Sequence, residues 1–180
     1  MTSLPVEATK LRKFGPHTRV IGTLLVLLGT AGVILPGLMS LVTEIWIAWV
    51  FLVSGTFWAY HTFKSNPDSF MDWLKPLLLI VIGGLMLYYP VPGIAAVGLM
   101  ISVYLILDAF GSFALARELQ PAKGWGWMAF NGIVSLLLAV LFLIGWPATS
   151  LALVGIYVGI SLAFDGWALL MVGWALRKAS

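Results

Sequence analysis

Two uncharged stretches, residues 76–107 and 124–164, each exceed the roughly 20 residues that one bilayer crossing needs, and each has a Pro/Gly turn near its middle. Lipid-facing backbone must satisfy its own hydrogen bonds, so each stretch has to fold back as two helices. The turn prolines, Pro90 and Pro147, have a counterpart in Pro36, at spacings of 54 and 57 residues. With 61% hydrophobic and 9% charged residues and a mean hydropathy of +1.04, the chain is no ordinary soluble domain, in which about a quarter of residues would be charged.

Counting forward from each proline brings similar residues into line. Position +18 holds Ser54, Asp108 and Asp165, and position +19 holds Gly55, Ala109 and Gly166. Position +12 holds Ala48, Ser102 and Gly159, all small, while +8 holds Glu44, Gly98 and Gly155. At −7, Gly29 and Gly83 agree but the third copy has Val140. An internal period of this length marks a copied supersecondary unit, and parallel repeats in a membrane protein imply an axis along the bilayer normal.

The predicted fold is therefore all-α: six transmembrane helices forming three repeated helical hairpins in a pseudo-threefold arrangement. The helices fall at about 19–36, 43–63, 75–90, 93–116, 125–145 and 148–176. Residues 1–18 form a basic cytoplasmic tail and 19–180 one transmembrane domain, with repeats at about 19–63, 74–116 and 125–178. No signal-peptide cleavage pattern precedes the first apolar run, which reads as a retained anchor. Without cysteine there is no disulfide, thiolate metal site or lipidated cysteine. The net charge of +3 does not point to nucleic acid, because the basic residues are dispersed at helix ends rather than gathered on one face.

Those basic residues set orientation. All ten Lys and Arg precede the first helix, follow the last, or lie between the second and third or the fourth and fifth, and the opposite side has only Glu44 as a charge. The positive-inside rule then puts both termini in the cytoplasm. Trp58, Tyr60, Trp73, Trp125, Trp127 and Trp174 fall near the inner boundary, and Tyr88, Tyr89 and Trp146 near the outer one, where amphipathic rings belong. The segment Ser65-Asn66-Pro67-Asp68 reads either as the start of a short interfacial helix through Trp73 or as a solvated loop. The first and third helices offer only about 16 residues, roughly 24 Å against a hydrocarbon core near 30 Å, so their outer ends stop short of the surface.

Helices in lipid approach one another through small residues. Gly155, Gly159 and Ala163 form a ladder on one face of the sixth helix, and Gly98 and Ser102 hold equivalent places in the fourth. The second, fourth and sixth helices are expected to meet through this ridge. A homo-oligomer using the same ridge is the alternative.

Chemistry has few candidates. Asp108 and Asp165 occupy equivalent intramembrane positions, with Ser54 as the third member. A charged Asp at a helix centre costs about 2.5 to 3.5 kcal/mol on insertion scales, so each should be neutral, paired or facing a wet cavity. They read either as a proton-binding or proton-relaying set, or as neutral acids whose hydrogen bonds hold the bundle. Glu44 lies at the outer end of the second helix, either exposed to external pH or as a solvated acid favoured by the helix dipole. His17 and His61 stand alone and suggest no metal site. Enzyme and phosphate-loop motifs are absent, so neither catalysis nor a cofactor is expected.

The third repeat, with a tryptophan before its first helix, an apolar run ending in proline, then LVGIYVGISLAFDGW and a basic end, resembles the C-terminal repeat of the HdeD family of bacterial acid-resistance membrane proteins. The resemblance spans about residues 20–178, more loosely in the first two repeats. It implies a six-helix inner-membrane protein of the acid-stress response, with no catalytic residues to carry over. The expected function is non-enzymatic, altering proton permeability or binding a protein partner yet to be identified, with the lipid bilayer as its surroundings. A small transporter or channel with a path near the pseudo-threefold axis is the second reading, and pure scaffolding the third.

Overall fold

A computed structural model describes the backbone of residues 5–65 and 67–178 and the side chains of residues 17–65 and 67–175. It has six helices: α1 (Pro5–Ile34), α2 (Pro36–Ser65), α3 (Phe70–Tyr88), α4 (Pro90–Glu118), α5 (Trp125–Ile144) and α6 (Ser150–Lys178). There is no strand among the described residues. Each helix contains a segment long and apolar enough to cross a membrane, and the chain is a multi-pass membrane protein.

The turns are tighter than expected. A single residue, Leu35 or Tyr89, separates α1 from α2 and α3 from α4, and Pro36 and Pro90 open the following helices. Proline suits a first helical position, where its missing N–H would have no partner. The expected starts at residues 43 and 93 therefore move back to Pro36 and Pro90, which adds nearly two turns to α2. At the other end of the chain α1 starts at Pro5, so the basic segment runs into the first span as continuous helix. α3 has 19 residues, about 28 Å, and is close to a full span. Residues 67–69 form a turn, and Trp73 lies within α3 rather than in a separate interfacial helix. Its indole N–H donates to the Pro67 carbonyl at 3.0 Å. Asn66 lies outside the described residues.

The chain divides into two compact units, Met1–Met39 with Gly155–Ser180, and Ser40–Val154. In the first, α6 packs antiparallel on α1. A methyl group built on Gly29 would meet the Ala163 nitrogen and, at 2.5 Å, the Gly159 carbonyl oxygen, and one on Gly22 would lie 2.8 Å from the Gly166 carbonyl. One on Gly155 would overlap the Pro36 carbonyl. This is backbone against backbone, available only where no Cβ intervenes. The ladder residues thus meet α1 as well as the opening residue of α2: Gly159 faces Gly29, Gly32 and Val33, and Gly155 faces Pro36.

In the second unit, α2 pairs with α3 and α4 with α5. α4 packs far more extensively on α5 than on α3, its partner within the sequence repeat. The copied hairpin is consequently not the packing unit; the second helix of one copy packs on the first helix of the next. The register recurs. Gly29 meets the +12 carbonyl and the +16 nitrogen in α6, and Gly83 meets the same two positions, Ala48 and Leu52, in α2. Position +19 meets −11 and −10 in two pairs: Gly55 faces Leu79 and Ile80, and Gly166 faces Leu25 and Val26.

The third pair keeps this register with a slip of one residue. Gly132, at −15, faces Phe113 at +23, whereas Gly22, at −14, faces Leu170 at +23. The slip accompanies a longer connection, since α5 ends at Ile144 and α6 begins only at Ser150. It also accounts for Val140, the residue that broke the repeat: Val140 is exposed, and its neighbour Ala139 is fully buried in the place that glycine holds elsewhere.

Large apolar side chains line the outside, among them Trp46, Phe57 and Ile144, while the interior is dominated by small residues such as Ala48, Ser102, Ala109, Ser135 and Ala139. This inverts a soluble core, because lipid removes the hydrophobic drive to bury leucine and leaves close packing and polar contacts to join helices.

Candidate functional site

The most deeply placed ionisable group is Glu44. It sits two turns inside α2, not at a solvated helix end, and its relative exposure is 0%. The reason is the earlier start of α2, which carries this residue past the first turn into the packed interior. Neither carboxyl oxygen has a hydrogen-bond partner. A methyl group on Gly93, in the first turn of α4, would come within 2.5 Å of Glu44 Oε1, so the glycine makes the room that the carboxyl occupies.

Other polar groups flank it. One turn before Glu44 on α2, Ser40 donates its hydroxyl to the Leu151 carbonyl at the start of α6, at 2.7 Å. Ser150 is 1% exposed with its hydroxyl unpartnered, 2.9 Å from where a Gly98 Cβ would sit. Ser102 turns back on its own helix and donates to the Gly98 carbonyl at 2.9 Å. Gly98 of the expected ridge lies against Ser150 and Val154 at the start of α6, while the bond of Ser102 stays within α4. The Trp146 indole donates to the Ala95 carbonyl at 2.8 Å and anchors the α5–α6 connection to α4.

Asp108 belongs to a different cluster, between α4 and α5. Its Oδ2 accepts from Ser135 Oγ at 2.7 Å and from Asn131 Nδ2 at 3.3 Å, and the same amide donates to Ser112 Oγ at 2.9 Å. The carboxyl is half-buried. Asp165, its counterpart on α6, is exposed and has no hydrogen-bond partner among the described residues. The common register explains the difference: α1 presents Ile21 and Leu25 where α5 presents Asn131 and Ser135. Ser54 is half-buried on α2, next in sequence to Gly55, which faces Leu79 and Ile80 of α3. The three residues stand on α2, α4 and α6, each in a different helix pair, and among the described residues only Asp108 is joined to its neighbour by hydrogen bonds.

Two segments of the chain, residues 20–78 and 74–144, match the family described as "Short repeat of unknown function (DUF308)". The chain belongs to the DUF308 short-repeat family. No curated protein and no solved structure matches it. The two DUF308 matches start 54 residues apart, the same interval as Pro36 to Pro90. The second runs through α3, α4 and α5, and so contains the dense α4–α5 pair as well as the hairpin.

Several residues of these clusters escaped sequence reasoning: Ser40 and Gly93 near Glu44, Ser150 beside Gly98, and Ser112, Asn131 and Ser135 around Asp108. For the second group a signal was present. Asp108 and Ser112, and likewise Asn131 and Ser135, are four residues apart and so share a helix face.

Proposed function

We propose that this chain is a non-enzymatic protein of a bacterial inner (cytoplasmic) membrane, with both termini in the cytoplasm, that supports survival under acid stress, and that Glu44 is the group through which it responds to protons. The observation that carries this reading is the fully buried carboxyl with both oxygens unpartnered. An ion there would be an uncompensated buried charge, which costs far more than the neutral acid. Protonation then lets the opening turns of α2 and α4 stay closed around the side chain, and ionisation calls for water or a cation to enter. The packing of this end of the bundle becomes a function of acidity, and proton permeability follows the packing. The likeness to HdeD-type proteins supports the biological setting. Asp108, already hydrogen-bonded to α5, acts in this reading as a helix-joining group.

The test is complementation of a deletion strain at low pH, together with pH-driven proton flux into liposomes containing the purified protein. Glu44→Gln keeps the shape and removes the titration. It should lower acid survival while leaving expression unchanged. Asp108→Asn and Asp165→Asn should complement. Full rescue by Glu44→Gln, with fluxes equal to wild type, would overturn the proposal.

A further inference from the structure

The junction of α2 and α3 holds a polar cup of about 300 Å³, lined by Trp58, His61, Thr62, Met71, Asp72 and Lys75 among others. Its parts are arranged. The Lys75 ammonium lies 3.5 Å from the centre of the Trp58 ring, and the His61 ring meets the same indole edge-on at 5.8 Å between centroids. The Thr62 hydroxyl, on a residue only 4% exposed, donates to the Asp72 backbone carbonyl at 3.3 Å and ties the two helices together below the cup. A cation held on a ring face keeps its charge and leaves N–H donors free for a second partner.

Packing does not require this trio. The three helix pairs share one register, and at the places of Trp58, His61 and Lys75 the α4–α5 pair has Ser112, Leu115 and Asn131 and the α6–α1 pair has Leu169, Val172 and Ile21. Only one of three equivalent interfaces carries an aromatic, an imidazole and an ammonium together. The cup also sits where the chain leaves α2 and enters α3 through the turn at residues 67–69, the level at which headgroups meet a membrane protein.

We propose that the cup binds a phosphoethanolamine group, with the phosphate on Lys75 and His61 and the ammonium on the side of Asp72. A wall carrying both signs of charge favours a zwitterion over a simple anion, and the volume is at the lower end of the range for small-molecule sites. The group can be presented by a phospholipid or as the free compound.

Native mass spectrometry of the full chain in detergent tests the assignment. Phosphatidylethanolamine should be retained at one copy per chain and diacylglycerol, which lacks the headgroup, should not. Lys75→Ala should weaken retention about tenfold, the loss of one charge-assisted contact, with Lys75→Arg restoring it and Lys64→Ala, outside the lining, changing nothing. Asp72→Asn should erase the preference over phosphatidylglycerol. Displacement of the lipid by free phosphoethanolamine identifies the headgroup as sufficient, and failure of displacement, with the Lys75→Ala loss intact, identifies the lipid as the ligand. Equal retention of phosphatidylethanolamine and diacylglycerol by the wild type overturns the proposal without recourse to any variant, as does unchanged retention by a folded Lys75→Ala.

Discussion

The α6–α1 and α4–α5 pairs are two answers to one problem. Both are antiparallel, both join the second helix of a repeat to a first helix, and both use the same register. In α6–α1 the contact is glycine on backbone, at Gly22, Gly29, Gly159 and Gly166. In α4–α5 only Gly132 takes such a place, against the Phe113 ring, and the joint is made by Asp108, Ser112, Asn131 and Ser135. A membrane interface can be held by backbone proximity or by side-chain hydrogen bonds. The α6–α1 pair, joined through glycines, leaves Asp165 without a hydrogen-bond partner among the described residues, whereas the α4–α5 pair holds Asp108 through Asn131 and Ser135.

Breaking the glycine joint should have the largest effect. In Gly29→Val the added atoms meet the Gly159 carbonyl and the Ala163 backbone, neither of which can rotate aside. Overpacking of this kind costs about 1–3 kcal/mol or more, and the upper end is expected here because the obstruction is backbone. Gly132→Ala in α5 should cost less, about 1 kcal/mol, since the obstruction is the end of the Phe113 side chain. SDS-driven unfolding of the two variants, followed by helical signal, measures both. Equal losses would mean that the two pairs are not held by different means.

Next in size is the polar joint itself. Asp108→Ala removes the acceptor from Ser135 and Asn131 and should destabilise by about 1–2 kcal/mol, while Asp165→Ala should change stability by no more than about 0.5 kcal/mol. A double-mutant cycle between Asp108→Ala and Ser135→Ala isolates the bond, and a coupling of about 0.6 kcal/mol is typical inside a membrane. A coupling of zero would reduce the 2.7 Å contact to mere proximity.

This contrast between the pairs was only partly legible in the sequence. Long uncharged runs and turn prolines suffice for six helices, because the bilayer fixes helix length and backbone satisfaction fixes helix type. The equivalence of Asp108 and Asp165 was visible too. Hidden was the fact that equivalent positions face different neighbours, since a repeat aligns each helix with its copies and says nothing about the residues across the interface. The one-residue slip in α5 obscured this further, placing Val140 where Ala139 belongs. The place of Glu44 is hidden for a local reason: in the sequence Pro36 reads as a turn residue, whereas it starts α2, and a helix begun there carries residue 44 into the interior.

The smallest effect sharpens the comparison most, because it asks whether one interface can be converted towards the other. Ile21 and Leu25 of α1 stand where Asn131 and Ser135 stand on α5, and Leu25 already lies alongside Gly166, next in sequence to Asp165. Installing Ile21→Asn and Leu25→Ser together should give Asp165 the donors that Asp108 has. The direct change in stability mixes this gain with the loss of apolar contacts, so the informative quantity is the coupling to Asp165→Ala. It should rise from near zero in the natural α1 to about 0.6 kcal/mol in the converted helix. If the register is common to both pairs, the bond forms without further redesign; if the coupling stays at zero, the two interfaces share a pattern of small residues but not a geometry.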